Sequence, residues 1–383
     1  MEATERIFDA EPYIRRFEAK VQFCEEGKGG FWAVLDRTAF FPEGGGQFSD
    51  LGTVGGAPVL DVQVDKNGII RHLLKSPVKP GTAVSCEIDW ERRFDFMQQL
   101  SGEHIFSGLA HSHFGANNVG FHLGLDFTTI DLDVPLSEED IDLIEAKANE
   151  AVYKNLPIEI SYPSEEELKA IPYRSKKELS GRVRIVTVPG YDICACCGTH
   201  VEKTGEIGII KITSFQNYKG GTRLTMLCGG RALADYRRKN HDVNRVTTEL
   251  SVKPEEICTA VGRLENEITE RKINEAALQR ELFSLKAERL GEGEKVCVFE
   301  KSLSPEEVRR YCLTLGEKFG VAAVFSGREG EWKYSISSKI KNCNDCAKAI
   351  NAAFKGKGGG KPELAQGSCG GSREDIEKFF ETV

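Results

Sequence analysis

Two short runs carry side chains that bind metal ions. Leu100-Ser101-Gly102-Glu103-His104 offers one imidazole, and Cys196-Cys197-Gly198-Thr199-His200 offers a thiolate and an imidazole four residues apart. Zinc takes Cys sulfur and His nitrogen in near-tetrahedral sites, and a catalytic zinc keeps one position for water. Water on such an ion has its pKa lowered toward neutrality and can attack an ester. A histidine at position 100 would complete an HxxxH pair, but leucine stands there and coordinates nothing. A lone helical histidine is also often a hydrogen-bonded structural residue, and cysteine a small buried hydrophobe, so spacing alone leaves both meanings open.

Other residues compete for the same role. Cys194 and Cys197 flank the second run and offer further thiols. Cys343-Asn344-Asp345-Cys346 is a CxxC with no second pair, which reads as two thiols near a helix start. His111 lies two helical turns beyond His104, roughly 10 Å along a straight helix, too far for one ion; His113 and His122 are also candidates. Phe40-Phe41-Pro42-Glu43 leads into Gly44, Gly45, Gly46 and Gln47. Three glycines allow positive φ and a close approach of backbone to ligand, and Gln47 adds a donor and an acceptor, although a plain loop has the same composition. The third patch is Lys355, Lys357, Gly358, Gly359, Gly360 and Lys361. Residues 331–361 hold seven lysines, no arginine, and only Glu331 and Asp345 as acids, a local balance of +5 in a chain of net charge −8. Phosphate contact without base reading fits that composition, and so does a flexible surface loop.

The elements that must position these residues follow from periodicity. Up to residue 91 the chain reads as short strands (Lys20–Phe23, Phe31–Leu35, Gly52–Val54, Val59–Val64, Ile69–His72, Val84–Ile88) with turn residues between, a small β-barrel carrying the glycine-rich loop. Residues 92–230 combine a helix over about 92–115, which puts position 100 and His104 on one face, a helix opened by Ser137, another near Ser164–Ile171, and strands at Ile158–Ser161, Val183–Val188, Ile207–Phe215 and Thr222–Cys228. That order predicts an α+β sandwich. Residues 231–290 are charged and helical, broken at Ser251-Val252-Lys253-Pro254. Val261, Leu264, Ile268, Leu278, Leu282 and Leu285 share one register there, which fits either a hairpin folding back within the chain or a homodimer through the helix at 253–289. Residues 291–383 alternate strands and helices as a small α/β domain. The overall class is therefore α+β, in four parts. No apolar run is long enough to span a bilayer, the N-terminus is charged, and twelve scattered cysteines suit reduced thiols, so a soluble cytoplasmic chain is expected.

Taken in order, Phe41-Pro42-Glu43-Gly44-Gly45-Gly46-Gln47, Ser101-Gly102-Glu103-His104, Cys196-Cys197-Gly198-Thr199-His200-Val201, Thr204-Gly205-Glu206-Ile207-Gly208 and Gly358-Gly359-Gly360-Lys361-Pro362-Glu363-Leu364-Ala365-Gln366-Gly367 resemble the freestanding alanyl-tRNA editing proteins of the long form. The last of these runs is similar to the glycine-rich signature of the tRNA-binding domain closing alanyl-tRNA synthetase. The resemblance implies a translation-factor-like β-barrel, an editing-type α+β domain, a helical or coiled-coil segment and a C-terminal tRNA-binding α/β module. It also implies hydrolysis of the ester joining serine, and in some members glycine, to alanine tRNA, because a synthetase pocket for alanine cannot reject such small differences by binding alone. By this resemblance His104, Cys196 and His200 match three of four zinc ligands, Leu100 replaces the fourth, and Gly44, Gly45, Gly46, Gln47 and Thr199 border the pocket. Three consequences stay open for the metal: zinc with three protein ligands and a water, Cys194 or Cys197 as substitute, or loss of the ion. The last would leave a non-catalytic or weakened tRNA-binding protein; a hydrolase of another ester is the remaining alternative. The glycine-lysine patch would hold the tRNA.

Overall fold

The computed structural model describes residues 3–175 and 183–382. Six strands close a barrel: β1 (Arg16–Gly27), β2 (Gly30–Leu35), β3 (Gly52–Val54), β4 (Ala57–Val64), β5 (Ile70–Leu74) and β6 (Ala83–Ile88), in the order β1-β2-β5-β4-β3-β6. Alternation explains the closure, since Phe17, Ala19 and Val21 of β1 point inward while their neighbours face solvent. The expected strands are all present, and the glycine-rich run is a tight turn in which Gly44 and Gln47 exchange backbone hydrogen bonds of 3.1 and 3.0 Å.

Helix α1 (Trp90–Phe114) follows, with Asp89 accepting from the Arg92 N–H at its start and Gly115, at φ 65°, ending it. Nearly every residue from Phe96 to Ala110 is buried, so this helix is a core element and not a surface one. Arg93 anchors it to the barrel: its buried guanidinium pairs with buried Asp50 and donates to the carbonyls of buried Ala39 and half-buried Pro12. Four antiparallel strands pack beside it, β7 (Asn118–Leu123), β8 (Thr128–Leu132), β12 (Ile210–Tyr218) and β13 (Gly221–Cys228), in the order β12-β13-β8-β7. Helix α2 (Glu138–Lys154) opens on a capping box of Ser137 and Asp140 and buries Ile141, Ile144, Ala148, Ala151 and Val152 in the shared core. A second sheet is made of β9 (Glu159–Ser161), β10 (Ile185–Val188) and β11 (Asp192–Ala195). The hairpin of β7 and β8 and the strand β11 are absent from the sequence reading.

The chain divides into two compact units, residues 1–245 and 246–383. Helix α3 (Gly229–Leu250) begins at the glycine pair expected to end a domain. In the second unit, helix α4 (Ile257–Arg289) buries Phe283 and Ala287, and Phe283 stacks on Tyr311 with ring centroids 4.6 Å apart. Val261, Leu264, Ile268, Leu278, Leu282 and Leu285, which share the register noted in the sequence, are all exposed. A five-stranded sheet completes this unit: β14 (Lys295–Glu300), β15 (Val321–Arg328), β16 (Glu331–Ser338), β17 (Lys357–Lys361) and β18 (Leu364–Cys369), ordered β14-β15-β16-β18-β17 with only the first pair parallel. Helices α5 (Pro305–Lys318), α6 (Cys343–Ala353) and α7 (Arg373–Thr382) cover it. Gly358, Gly359 and Gly360 are therefore an edge strand and not a loop. Glycine is required at 358 because a Cβ there would overlap the Gln366 carbonyl and crowd the Tyr334 hydroxyl.

Candidate metal centre

One face of α1 and the segment after β11 bring the metal-type donors together. His104, Cys196 and His200 place one donor atom each within 4.8 Å of one another. Ligands of one tetrahedral zinc lie roughly 3.3 to 3.8 Å apart, so a small inward movement suffices. The helix can come this close to the strands because residue 108 is glycine: a Cβ there would overlap the Tyr191 carbonyl and the Asp192 side chain.

Each imidazole is oriented by its other nitrogen. Ser101 Oγ lies 3.1 Å from His200 Nδ1 and also accepts from the Val201 N–H at 3.2 Å. With the Nδ1 proton toward Ser101, His200 Nε2 presents its lone pair inward, and this buried atom has no partner among the described residues. His104 Nδ1 lies 3.1 Å from Asp192 Oδ2, an electrostatic contact whose angle is poor for a hydrogen bond. Asp192 is itself held by Arg174 through contacts of 2.7 and 2.9 Å.

The charges divide unequally. Burial opposes protonation of His104, but the Cys196 and Cys194 thiols and Asp192 outweigh it and hold its pKa well above the usual imidazole value. Burial would raise the Cys196 pKa, yet His104, the Gly198 N–H at 3.3 Å and Arg184 bring it below that of an ordinary thiol. His200 is held well below the imidazole range by burial and by the charges on His104 and Arg184. One sulfur and two imidazole nitrogens are the donor types zinc selects, and binding it would release the protons they carry.

Leu100 is buried against the same loop. A Cβ on Gly198 would overlap Leu100 Cδ2 and would lie 3.6 Å from Cys196 Sγ, so position 100 does face the donors. Of the two substitute thiols, Cys194 forms a second cluster with His104 and Asp192, whereas Cys197 is exposed and belongs to neither cluster. His111, His113 and His122 are exposed and in no cluster among the described residues. Cys343 and Cys346 start α6 and sit in its hydrophobic core.

Gln47 reaches this centre from the barrel. Its Nε2 donates to Thr199 Oγ1 at 3.3 Å, and its buried Oε1 has no partner among the described residues. Gly45 and Gly46 take positive φ, 61° and 87°, while Gly44 does not. At Gly46 a Cβ would press on the Phe121 ring, and its carbonyl accepts from the Leu123 N–H at 3.2 Å, so the turn is tied to β7. Lys355, Lys357 and Lys361 belong to the second unit, where Lys333, Lys355 and Lys357 line a 740 Å³ cleft with Trp332 and Phe354.

Sequence reasoning missed Ser101, Asp192, Arg174 and Arg184. Arg184 is 6% exposed and its Nη1 donates to the carbonyls of Cys196 and Gly198 at 2.8 and 2.9 Å, fixing the loop that carries the thiol. One signal was available for it: a single charge inside the apolar run Val183–Val188. Asp192 and Arg174 carry no comparable mark.

Residues 183–225 match the family described as the threonyl and alanyl tRNA synthetase second additional domain, and residues 293–383 match the DHHA1 domain. The alanyl-tRNA editing protein Aarsd1-B of Xenopus laevis is 35% identical over 264 residues, covering 68% of this chain and 64% of that protein. The chain thus spans just under two thirds of that relative's length. The alanyl-tRNA editing protein AlaX-L of Pyrococcus horikoshii is 28% identical over 398 residues, 97% of this chain and 96% of that protein. Among solved structures, the C-Ala domain of Aquifex aeolicus alanyl-tRNA synthetase aligns with 24% of this chain and 94% of its own at 23% identity, with a TM-score of 0.21.

Proposed function

From the premise that this chain is a homologue of the alanyl-tRNA editing proteins over most of its length, we propose that it hydrolyses the ester of mischarged alanine tRNA, seryl-tRNA first and glycyl-tRNA second. The observation that carries the reading is the convergence of His104, Cys196 and His200, with His200 Nε2 buried and unpartnered. A zinc ion held by these three residues would supply Lewis acidity toward the ester carbonyl or the attacking water. Every other contribution comes from the protein. Ser101 and Asp192 hold the two imidazole rings, and Arg184 holds the Cys196–Gly198 carbonyls in place. Gln47 and Thr199 bring a free acceptor and a hydroxyl to the edge of the cluster, where the small polar side chain of serine can be tested by hydrogen bonding. The turn at Gly44–Gln47 offers backbone close to that place.

Lys333, Lys355 and Lys357 around the 740 Å³ cleft, with Lys361 on the edge strand, support tRNA binding through phosphates by the C-terminal part, 291–383. The apolar row on α4 supports a homodimer through that helix. The four-part division at 91, 230 and 290 remains our reading of how these tasks are separated, and a cytoplasmic location follows from the proposed substrate. Leu100 favours one competing reading, a tRNA-binding protein without metal, because it fills the fourth position with an apolar side chain. Metal analysis of the purified protein together with deacylation of alanine tRNA carrying serine separates the two. Stoichiometric zinc with rapid deacylation supports the hydrolase; tRNA binding with no acceleration over buffer overturns it.

A further inference from the structure

Cys197 of the Cys196–Gly198 loop also lines a cleft of about 520 Å³, together with Thr4, Arg6, Asp9, Tyr162 and Arg184. Its charges do not cancel. Arg6 is paired with Asp9 at 3.2 Å. Arg184 meets two carbonyls through Nη1, and among the described residues it meets no carboxylate and its buried Nε has no partner. Buried cations are ordinarily matched by an anion, since leaving one unmatched in the interior costs several kcal/mol. A guanidinium also offers its Nε and Nη2 hydrogens as a parallel pair, the arrangement that receives two oxygens of a phosphate or carboxylate. With Nη1 committed to the loop, that face is what Arg184 has left. The loop residue between its two carbonyl partners is Cys197, whose side chain is exposed and lines the same cleft. An anion seated there would be one residue away from Cys196 and the donor cluster.

We propose that this cleft is an oxyanion subsite, in which Arg184 and Arg6 receive a phosphodiester of the substrate RNA near its acylated end. The choice of RNA as the source rests on the editing reading above; the oxyanion chemistry does not. Free inorganic phosphate offers the same oxygens, and the test tells the two apart.

Cys197 supplies the readout, because an occupied cleft shields its thiol. In a Cys258→Ser background, which removes the other exposed cysteine, the rate of iodoacetamide labelling at Cys197 is followed by peptide mass spectrometry. The arms are protein alone, inorganic phosphate, intact uncharged tRNA, and tRNA lacking its 3′-terminal nucleotides. The expected result is slowing of about fivefold by intact tRNA, little by truncated tRNA or phosphate, and partial loss of protection in Arg6→Ala. The same variant should raise KM for the deacylation substrate roughly two- to fivefold, and reduce the salt slope of log KM by about 0.7, one phosphate's share on a single strand. Equal protection by inorganic phosphate would assign the subsite to a free anion and overturn the RNA source. No slowing in any arm, with tRNA bound by filter assay, overturns the subsite itself. Protection without deacylation overturns the editing reading and leaves the subsite standing, whereas deacylation without protection does the reverse.

Discussion

Replacing Leu100 by histidine asks whether the fourth coordination position is still built into the fold. Leu100 is 3% exposed, and its Cδ2 lies over Gly198, beside Cys196 Sγ. A structural zinc site binds with about 10–16 kcal/mol through four ligands, so one added imidazole is worth about 3 kcal/mol, or roughly a hundredfold in Kd. Without metal the change acts the other way: the isobutyl group loses its burial, worth about 2 kcal/mol, and the new ring nitrogens lack partners, at about 1–3 kcal/mol. Leu100→His should therefore unfold more readily than the parent chain when metal-free and regain that loss with zinc. Chelator competition gives Kd, and thermal melts with and without zinc give the stability cycle. An unchanged Kd with a lowered metal-free melting temperature would refute the reasoning, since the imidazole would then be buried near the donors without reaching their common ion.

Further outcomes follow from other sites. His72 is fully buried between Thr38 Oγ1 at 2.9 Å and the Ala33 carbonyl at 3.3 Å, and burial lowers its pKa from 6.5 to about 4. Its folded value lies below its unfolded one, so stability is complete above pH 6.5 and falls as the unfolded chain takes up the proton. The loss should approach about 3 kcal/mol near pH 4, and urea titrations of His72→Gln should lack that component of the slope. Asp50→Asn leaves the Arg93 guanidinium charged and buried, and should cost about 3–5 kcal/mol in chemical denaturation. A chain ending at Arg245 retains the donor cluster; it should bind tRNA at least about tenfold more weakly and with a smaller salt slope, yet still hydrolyse a short acylated acceptor stem. Equal loss of both in that assay would contradict the assignment of tRNA affinity to the second unit.

The barrel was legible because its strands are punctuated by Gly, Pro, Asn and Asp, although the first strand was read only as Lys20–Phe23 and the alternation at Phe17, Ala19 and Val21 extends it to Arg16–Gly27. α1 and α2 were legible from apolar spacing and, for α2, from the Ser137–Asp140 cap. The hairpin of β7 and β8 was not, since Gly120, His122, Gly124 and Asp126 break any alternation and its order comes from β13 alongside. Glycines 358–360 suggest looseness in sequence, yet the sheet uses their missing side chains to admit the β18 backbone and Tyr334. Of the candidate site, His104, Cys196 and His200 stood out by residue type and lie together in the fold, whereas Gln47 and Thr199, also found together, were marked only by the family resemblance. Asp192, Arg174 and Ser101 act through tertiary contacts with those residues, and nothing local in the sequence distinguishes them from ordinary polar positions.

The contact between Leu100 and Gly198 also constrains how this protein can change. The leucine methyl occupies the volume that any side chain at 198 would need. A side chain at 198 therefore requires Leu100 to change rotamer or be replaced by a smaller residue, and it would still press on Gln47 Oε1. The two positions are coupled across α1 and the loop, so the effect of a substitution at 198 depends on the residue at 100.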